Sequence, residues 1–390
     1  MGLGHFDAVA GFSAGGIRLL CGYVQSGQPR VLDSLFASGR FFKDGVIADT
    51  DLAAALLKQA VADAVADLKT PIRSLSVIIP ALDTEILKGY GSTATIGECV
   101  SELDGQNCLG VLRKRIVPDQ AARLVGVFPY AYALDGNADL DGFPQGLPAA
   151  NPKVTGLVFL ASQPLLESVR TVPMKAGLAE PALFVSPQAT ARFLASSPAL
   201  PDSYLLLDIG NSLTQCAYAV KGNVAVTGTA SCGGENLTAA VQKSFRISYE
   251  LANRYKKVYG LAPDPAYAFK TPAGFSQQEL ADVLEAALSP VVELVGRIET
   301  QVAIDSEKNL VLTGGGSALN GLSEWLCGKL GKKVFAVTPQ IAGARYRGDA
   351  DLLGALLALE DQRWMTSRRE TRTGLLRRTT QTAKDGGDKE

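Results

Sequence analysis

The segment Tyr204-Leu-Leu-Leu-Asp208-Ile-Gly210-Asn-Ser-Leu-Thr-Gln-Cys-Ala-Tyr218 decides the fold. An apolar run ending on a single carboxylate, then a glycine turn, then a second apolar run, predicts two antiparallel strands joined by a tight connection. A carboxylate at that strand end is either an Asx-type turn residue or a magnesium ligand, held through water beside a phosphate chain. The N-terminus repeats the pattern, FDAVAGFSAGG followed by IRLLCGY over residues 6–23. Setting Ser13-Ala-Gly15 over Asp208-Ile-Gly210 gives an offset of 195 residues (208 less 13), as expected of a duplicated core.

After the first hairpin comes a strand near Val31, then Lys43-Asp-Gly-Val-Ile-Ala-Asp49, then a helix carrying Leu52, Leu56, Leu57, Val61, Val65 and Leu68 that stops before Pro71. Leu75 to Ile79 and Val154 to Leu160 read as buried strands, the second leading into a helix with Pro164 in its first turn. Between them the pattern changes to short alternating stretches, a helix near Asp119 to Leu124, and Phe128, Tyr130 and Tyr132 in alternation as core of a small α+β insert. Downstream of the second hairpin, Cys232-Gly-Gly-Glu-Asn-Leu-Thr238 opens a long helical stretch to Tyr259. Ser276-Gln-Gln-Glu279 is a capping box, and Pro290 should break that helix. Asn309 to Thr313 is a strand followed by Gly314-Gly315-Gly316-Ser317, a helix runs from Leu322 to near Gly331, and Asp349 should cap a last helix, Leu352 to Leu359.

Length and composition narrow the function. A chain of 390 residues with 47% hydrophobic content builds at least two cores, and a net charge of −1 gives no general attraction to nucleic acid. Six scattered cysteines without a C-x-x-C pair read as small buried hydrophobes in a reducing cytoplasm rather than as a zinc clamp. His5 is the only histidine and lies near the terminus, which removes most mechanisms built on a histidine base. No signal-peptide pattern and no membrane-length apolar run is present in the sequence.

Three glycine turns remain at strand ends, Gly15-Gly16, Gly210 and Gly314-Gly315-Gly316, where backbone amides can converge on an anion without a Cβ in the way. Each alone is ordinary turn punctuation, Gly233-Gly234-Glu235 alone is a helix start, and Lys256 and Lys257 alone are a solvated helix face. Their order carries the signal: two repeated hairpins, GGE before a helix, then strand, GGGS and helix.

That order resembles the actin, DnaK-chaperone and sugar-kinase superfamily, and within it the FtsA family. The resemblance runs from about Ala8 to Leu359. It is carried by Lys43 to Asp49, Val127-Phe-Pro-Tyr-Ala-Tyr-Ala-Leu-Asp135, Leu207 to Gly210, Gly233 to Thr238, Ala252 with Lys256, and Val311 to Gly316. It implies an α/β, actin-like ATPase fold of two duplicated ribonuclease-H-like lobes with a small SHS2-like insert in the first. The expected boundaries are 6–80 and 153–202 for the first lobe, 81–152 for the insert, and 203–345 for the second lobe. Residues 346–362 form a helix returning to the first lobe, and 363–390 a disordered tail with eight Lys/Arg against four Asp/Glu.

By the same resemblance the cofactors are ATP and magnesium, with Asp208 on the metal. Ser13, Gly15, Gly16, Gly210, Asn211 and Ser212 would form the phosphate hairpins. Gly233, Gly234, Glu235 and Lys256 would approach the phosphates or ribose, and Gly314, Gly315 and Gly316 the adenosine. Ser13 stands where the family carries an acid, Asn211-Ser212-Leu213 where it carries Gly-Gly-Thr, and Gln215 where it often has Asp, so no catalytic residue is assigned and turnover is at most weak. The implied function is a cytoplasmic adaptor in cell division. It would link FtsZ-type filaments, through their C-terminal peptide, or other divisome proteins to the membrane, self-associate into a homopolymer, and touch the inner membrane face weakly through the basic tail. The alternatives are a PilM-like adaptor of type IV pilus assembly and a small-molecule kinase on the same core.

Overall fold

The structure is a computed structural model that describes residues 6–43, 46–116, 123–136, 140, 142–262, 273–302, 309–344, 346–363 and 365. The chain divides into two compact units, one of Met1–Ile86, Gln120–Gly126 and Phe159–Leu357, the other of Leu87–Asp119, Val127–Val158 and Ala358–Glu390.

The first unit holds two five-stranded sheets of the same plan. In one, β1 (Asp7–Ser13) pairs antiparallel with β2 (Gly16–Gln25), β2 with β3 (Gln28–Ser38), and β1 parallel with β6 (Ser76–Ile79), which pairs parallel with β10 (Ala182–Val185). In the other, β11 (Ser203–Ile209) pairs antiparallel with β12 (Thr214–Val220), and β12 with β13 (Asn223–Ala230). Parallel strands β14 (Asn309–Thr313) and β15 (Lys333–Ala336) complete it. The orders β10-β6-β1-β2-β3 and β15-β14-β11-β12-β13 superpose strand for strand. The repeat read from the hairpins is therefore a repeat of whole sheets. The tips differ: Ser13 pairs with Gly16 across Ala14-Gly15, whereas Ile209 pairs with Thr214 across the longer Gly210 to Leu213 connection.

β11 reads as an unbroken apolar run because both its faces are covered. On one side Leu205, Leu207 and Ile209 meet helices α5 (Gly234–Phe245), α6 (Tyr249–Tyr259), α7 (Gln277–Ala287) and α8 (Ser289–Val302). On the other, Tyr204 and Leu206 pack with Ala191 and Leu194 of α4 (Ser186–Leu194). The stretch expected as one helix to Tyr259 is two, because Arg246 turns left-handed at φ 54° and the Ser248 hydroxyl restarts the helix by accepting from the Leu251 amide at 3.2 Å.

Local signals set the other ends. Asp49 caps α1 (Thr50–Leu68), accepting from the Leu52 amide at 2.9 Å. Just before it, β4 (Phe42–Lys43) and β5 (Val46–Ile47) pair in a short ladder, residues 44–45 between them lying outside the described set. The Ser276 and Glu279 capping box forms, with 3.1 and 2.7 Å bonds, and the helix breaks ahead of Pro290 as expected, the proline standing in the first turn of α8. α3 (Gln163–Lys175) starts at its proline, and α9 (Leu322–Leu330) ends at left-handed Gly331. Asp349 does not cap the final helix, α10 (Ala350–Asp361). It lies in a 3-10 turn, Arg347–Asp349, and accepts from the Tyr346 amide at 2.9 Å.

The insert carries the strand order β7 (Glu85–Ser92), β9 (Pro152–Leu160), β8 (Leu124–Leu134), and helix α2 (Glu102–Ile116). A Cβ on Gly91 would strike the Cys108 carbonyl, so that glycine lets α2 lie against the sheet. α2 is absent from the sequence reading, since Gly105 and Gly110 interrupt its pattern. Its start was nonetheless written in Ser101 and Asp104, which bond each other's amides at 2.8 and 3.4 Å. Of the helix expected near Asp119 to Leu124, residues 117–122 lie outside the described set and Leu124 opens β8. Phe128 and Tyr132 are buried and Tyr130 half-buried. Cys21, Cys108, Cys216 and Cys232 are buried as expected, but Cys99 and Cys327 are exposed. His5 and nearly all of the 363–390 tail lie outside the described residues.

Candidate functional site

Within the first unit the two sheets present the ends of β1 and β11 to one cavity of about 880 Å³. The hairpin tips converge there: a Cβ on Gly15 would lie 3.9 Å from Asn211 Nδ2 and 3.9 Å from Ser13 Oγ. Such a volume is that of a small-molecule site.

Of the residues singled out from sequence, the cavity wall includes Ser13, Asp208, Gly210, Asn211, Ser212, Gly234, Lys256, Gly314, Gly315 and Gly316. Gly15, Gly16, Gly233 and Glu235 are not on it, and the reasons are local. Gly16 (φ 144°) sits in the ladder against Ser38, where a Cβ would strike the Ala37 carbonyl. A Cβ on Gly233 would lie 2.6 Å from the Asn211 carbonyl oxygen, so this glycine lets α5 start against the second hairpin. The first α5 amides are spent on that contact, Gly234 N–H donating to Gly210 O at 3.0 Å and Glu235 N–H to Asn211 O at 2.7 Å. Glu235 instead accepts from Asn211 Nδ2 at 3.3 Å and pairs with Arg40 across the cleft at 3.9 Å, a solvent-screened contact of little energetic weight.

Gly314, in positive φ at 82°, and Gly316 allow the turn after β14 to close on the end of β11, since a Cβ on Gly314 would collide with the Asp208 carboxylate and one on Gly316 with the Ile209 side chain. Gly315 has open space where its Cβ would stand.

Asp208 opens to the cavity on one side and is otherwise surrounded by protein. Burial and the nearby Asp351 carboxylate push it up to about 6, against the pull of Arg18 and of a hydrogen bond from Gln215. Gln215 is fully engaged: its amide oxygen accepts from Ala81 N–H at 2.7 Å, and Nε2 donates to Asp208 at 3.3 Å and to the Ser186 hydroxyl at 3.4 Å. Arg18 from β2 reaches Asp351 at 3.1 Å, Asp349 at 3.4 Å and the Gly348 carbonyl. Burial works against the Arg18 cation, but Asp351, Asp349 and Asp208 outweigh it and raise its pKa. Lys256 donates to Gly234 O at 2.6 Å and Thr238 Oγ1 at 2.8 Å, and burial, helped by Lys257, lowers it to about 8 against the opposing Glu235.

The residues fit a nucleotide carried with one metal ion. Asp208, Ser13 and Ser212 are hard oxygen donors suited to magnesium through water. Among the described residues no group of three or more His, Cys, Asp or Glu could hold a metal alone, so the phosphates would supply the remaining ligands. Buried Thr313 Oγ1, whose residue pairs with Asp208 across the strands, has no hydrogen-bond partner, but Thr313 is not on the cavity wall.

The sequence reading missed Arg18, Asp349 and Asp351. Arg18 and Asp351 were legible as charges out of place, since Arg18 is the only charged residue of β2 and Asp351 opens a helix whose next eight residues are all apolar or glycine, while Asp349 had been read only as a helix cap. Phe36, Phe42, Tyr346 and Arg347, also on the wall, carried no motif.

Residues 205–351 match the family model of the cell division protein FtsA. Those bounds hold β12 to β15, β11 from Leu205 onward, and Asp351 itself. The chain is 23% identical over 343 residues to the cell division protein FtsA of Streptococcus pneumoniae serotype 2, covering 84% of this chain and 74% of that protein. Among solved structures it matches a chain of the PilM-PilN type IV pilus biogenesis complex with a TM-score of 0.61 and 19% identity, over 91% of this chain and 98% of that one. It matches MreB5 of Spiroplasma citri bound to ADP with a TM-score of 0.51 and 14% identity, over 92% and 99%. These matches support an FtsA-type cell division protein on the actin-like ATPase fold, as the order of hairpins and glycine turns implied.

Proposed function

We propose that this FtsA-type chain binds ATP with magnesium in the cleft between its duplicated sheets and serves as an adaptor that couples FtsZ-type filaments, or other divisome proteins, to the membrane. The observation that carries the reading is the meeting, at one cavity, of both hairpin tips, Asp208 and the Gly314 to Gly316 turn. In this reading Asp208 holds the metal through water, Ser13, Asn211 and Ser212 face the phosphates, Lys256 approaches the phosphate or ribose, and the Gly315 surface receives the adenosine.

Turnover is slow or absent. Hydrolysis needs a group that orients water and charges that tighten on the transition state. Ser13 donates its hydroxyl to Gly16 O at 3.0 Å, closing its own turn, and Gln215 is held by three partners. A small-molecule kinase would need a carboxylate base facing the cleft from the first sheet. Among the described residues, the first-lobe part of the wall, from Gly11 to Pro80, includes none.

No helix among the described residues is long and apolar enough to cross a membrane. Membrane contact in this proposal is peripheral, through the basic 363–390 segment, and the protein is cytoplasmic and self-associating. Pull-down with an immobilised FtsZ C-terminal peptide tests the partner. Retention by it supports the reading, whereas retention only by a short peptide of a pilus inner-membrane protein transfers the chain to the PilM-like alternative.

A further inference from the structure

We propose that the exposed face of the insert sheet around Tyr90 and Tyr130 docks an acidic, extended segment of a partner protein. The inference concerns the second unit alone and stands whether or not the cleft binds nucleotide.

Tyr90 lies on β7, the outer strand in the order β7-β9-β8, and is 46% exposed. Two cations from different elements address its ring: Lys153 Nζ of β9 at 4.8 Å from the centroid and Arg115 of the α2 C-terminus at 4.9 Å. Lys88 Nζ lies 5.5 Å from the Tyr130 ring. Lys88, Gly89, Tyr90, Tyr130, Ala131, Lys153 and Thr155 line a hollow of about 340 Å³, and no carboxylate is among them. Helix α2 covers the opposite side, where Gly89 and Gly91 face it.

Lys153 and Arg115, laid on the Tyr90 ring, are held in place while their outer hydrogens point outward, so their charge is ordered before a ligand arrives. Carboxylates match that charge, and the ring edges and Ala131 accept the aliphatic part of their side chains. The protein's net charge of −1 gives no long-range pull on a polyanion, which favours a few short-range carboxylate pairs over nucleic acid or a lipid surface. An outer strand beside the cations also offers main-chain groups to an added strand. Position-specific pairing of alternate acidic side chains with Lys153 and Arg115 follows from that geometry.

The test is fluorescence anisotropy of the full chain with a labelled alternating Glu-Val peptide, against alternating Lys-Val and Glu-Gly-Pro controls. The expected result is saturable binding of the Glu-Val peptide only, weakened about tenfold by Lys153→Glu or by Arg115→Glu and retained in Lys153→Arg. Lys153→Met, which removes charge without reversing it, should give an intermediate loss at unchanged circular dichroism. Absence of saturable binding, or binding indifferent to both reversals, overturns the proposal. So does sedimentation with phosphatidylserine vesicles that the same substitutions abolish while the peptide fails to bind. A dimer in solution that those substitutions dissolve overturns it too, since the occupant would then be a second copy of this chain.

Discussion

Replacing Asp208 by asparagine should stabilise the nucleotide-free protein while removing the carboxylate proposed to hold the metal. The carboxyl titrates near 6 instead of 3.8, because burial and Asp351 disfavour its anion more than Arg18 and Gln215 favour it. A group whose folded pKa is raised holds its proton longer in the folded state. Its contribution is therefore fully favourable below the unfolded value, near pH 4, and is lost as pH rises through about 6. At roughly 1.4 kcal/mol per unit, a shift of this size costs about 3 kcal/mol at neutral pH. The asparagine side chain keeps the shape and can still accept from Gln215, but Arg18 loses one of three nearby charges, so a net gain of about 1 to 3 kcal/mol is expected. Urea unfolding of magnesium-free protein reads it, at about pH 7.5 and again at about pH 4.5, where the difference should shrink to roughly a third. An asparagine variant that is less stable at the higher pH, or a difference that does not change with pH, refutes the reasoning.

Arg18→Met leaves Asp349 and Asp351 buried beside each other without their cation, and should cost about 3 to 5 kcal/mol in the same unfolding assay. Gly314→Ala places a methyl group against the Asp208 carboxylate in a positive-φ position, and should lower stability by at least about 1 to 2 kcal/mol and weaken metal-dependent nucleotide binding. Gly315→Ala, with open space at that position, should leave the unfolding midpoint within experimental error.

The two hairpins were legible because each is an apolar run ending near a glycine, Gly15 and Gly210, and the capping residues Asp49 and Ser276 mark their helices by short-range hydrogen bonds. Strands β10, β13 and β15 were not read, and Val154 to Leu160, expected in the first lobe, pairs within the insert sheet as β9. What escaped was decided by contacts distant in sequence. Arg18 meets Asp351 across more than three hundred residues, which no local pattern encodes. The break at Arg246 depends on a single left-handed residue that is not glycine. At the site, glycine counted as an anion cradle from sequence divides by role. Gly314 to Gly316 line the cavity, while Gly16 and Gly233 make room for neighbouring backbone, a distinction that appears only once β3 and the second hairpin are in place.

The central claim is that the cleft holds a magnesium nucleotide with little turnover, and one preparation tests both halves. Labelled ATP titrated in millimolar magnesium, with phosphate release followed in parallel, should give saturable binding that Asp208→Asn weakens. Release should stay far below the ~1 to 100 per second of ordinary kinases. No saturable binding, or release within that kinase range, would contradict the account.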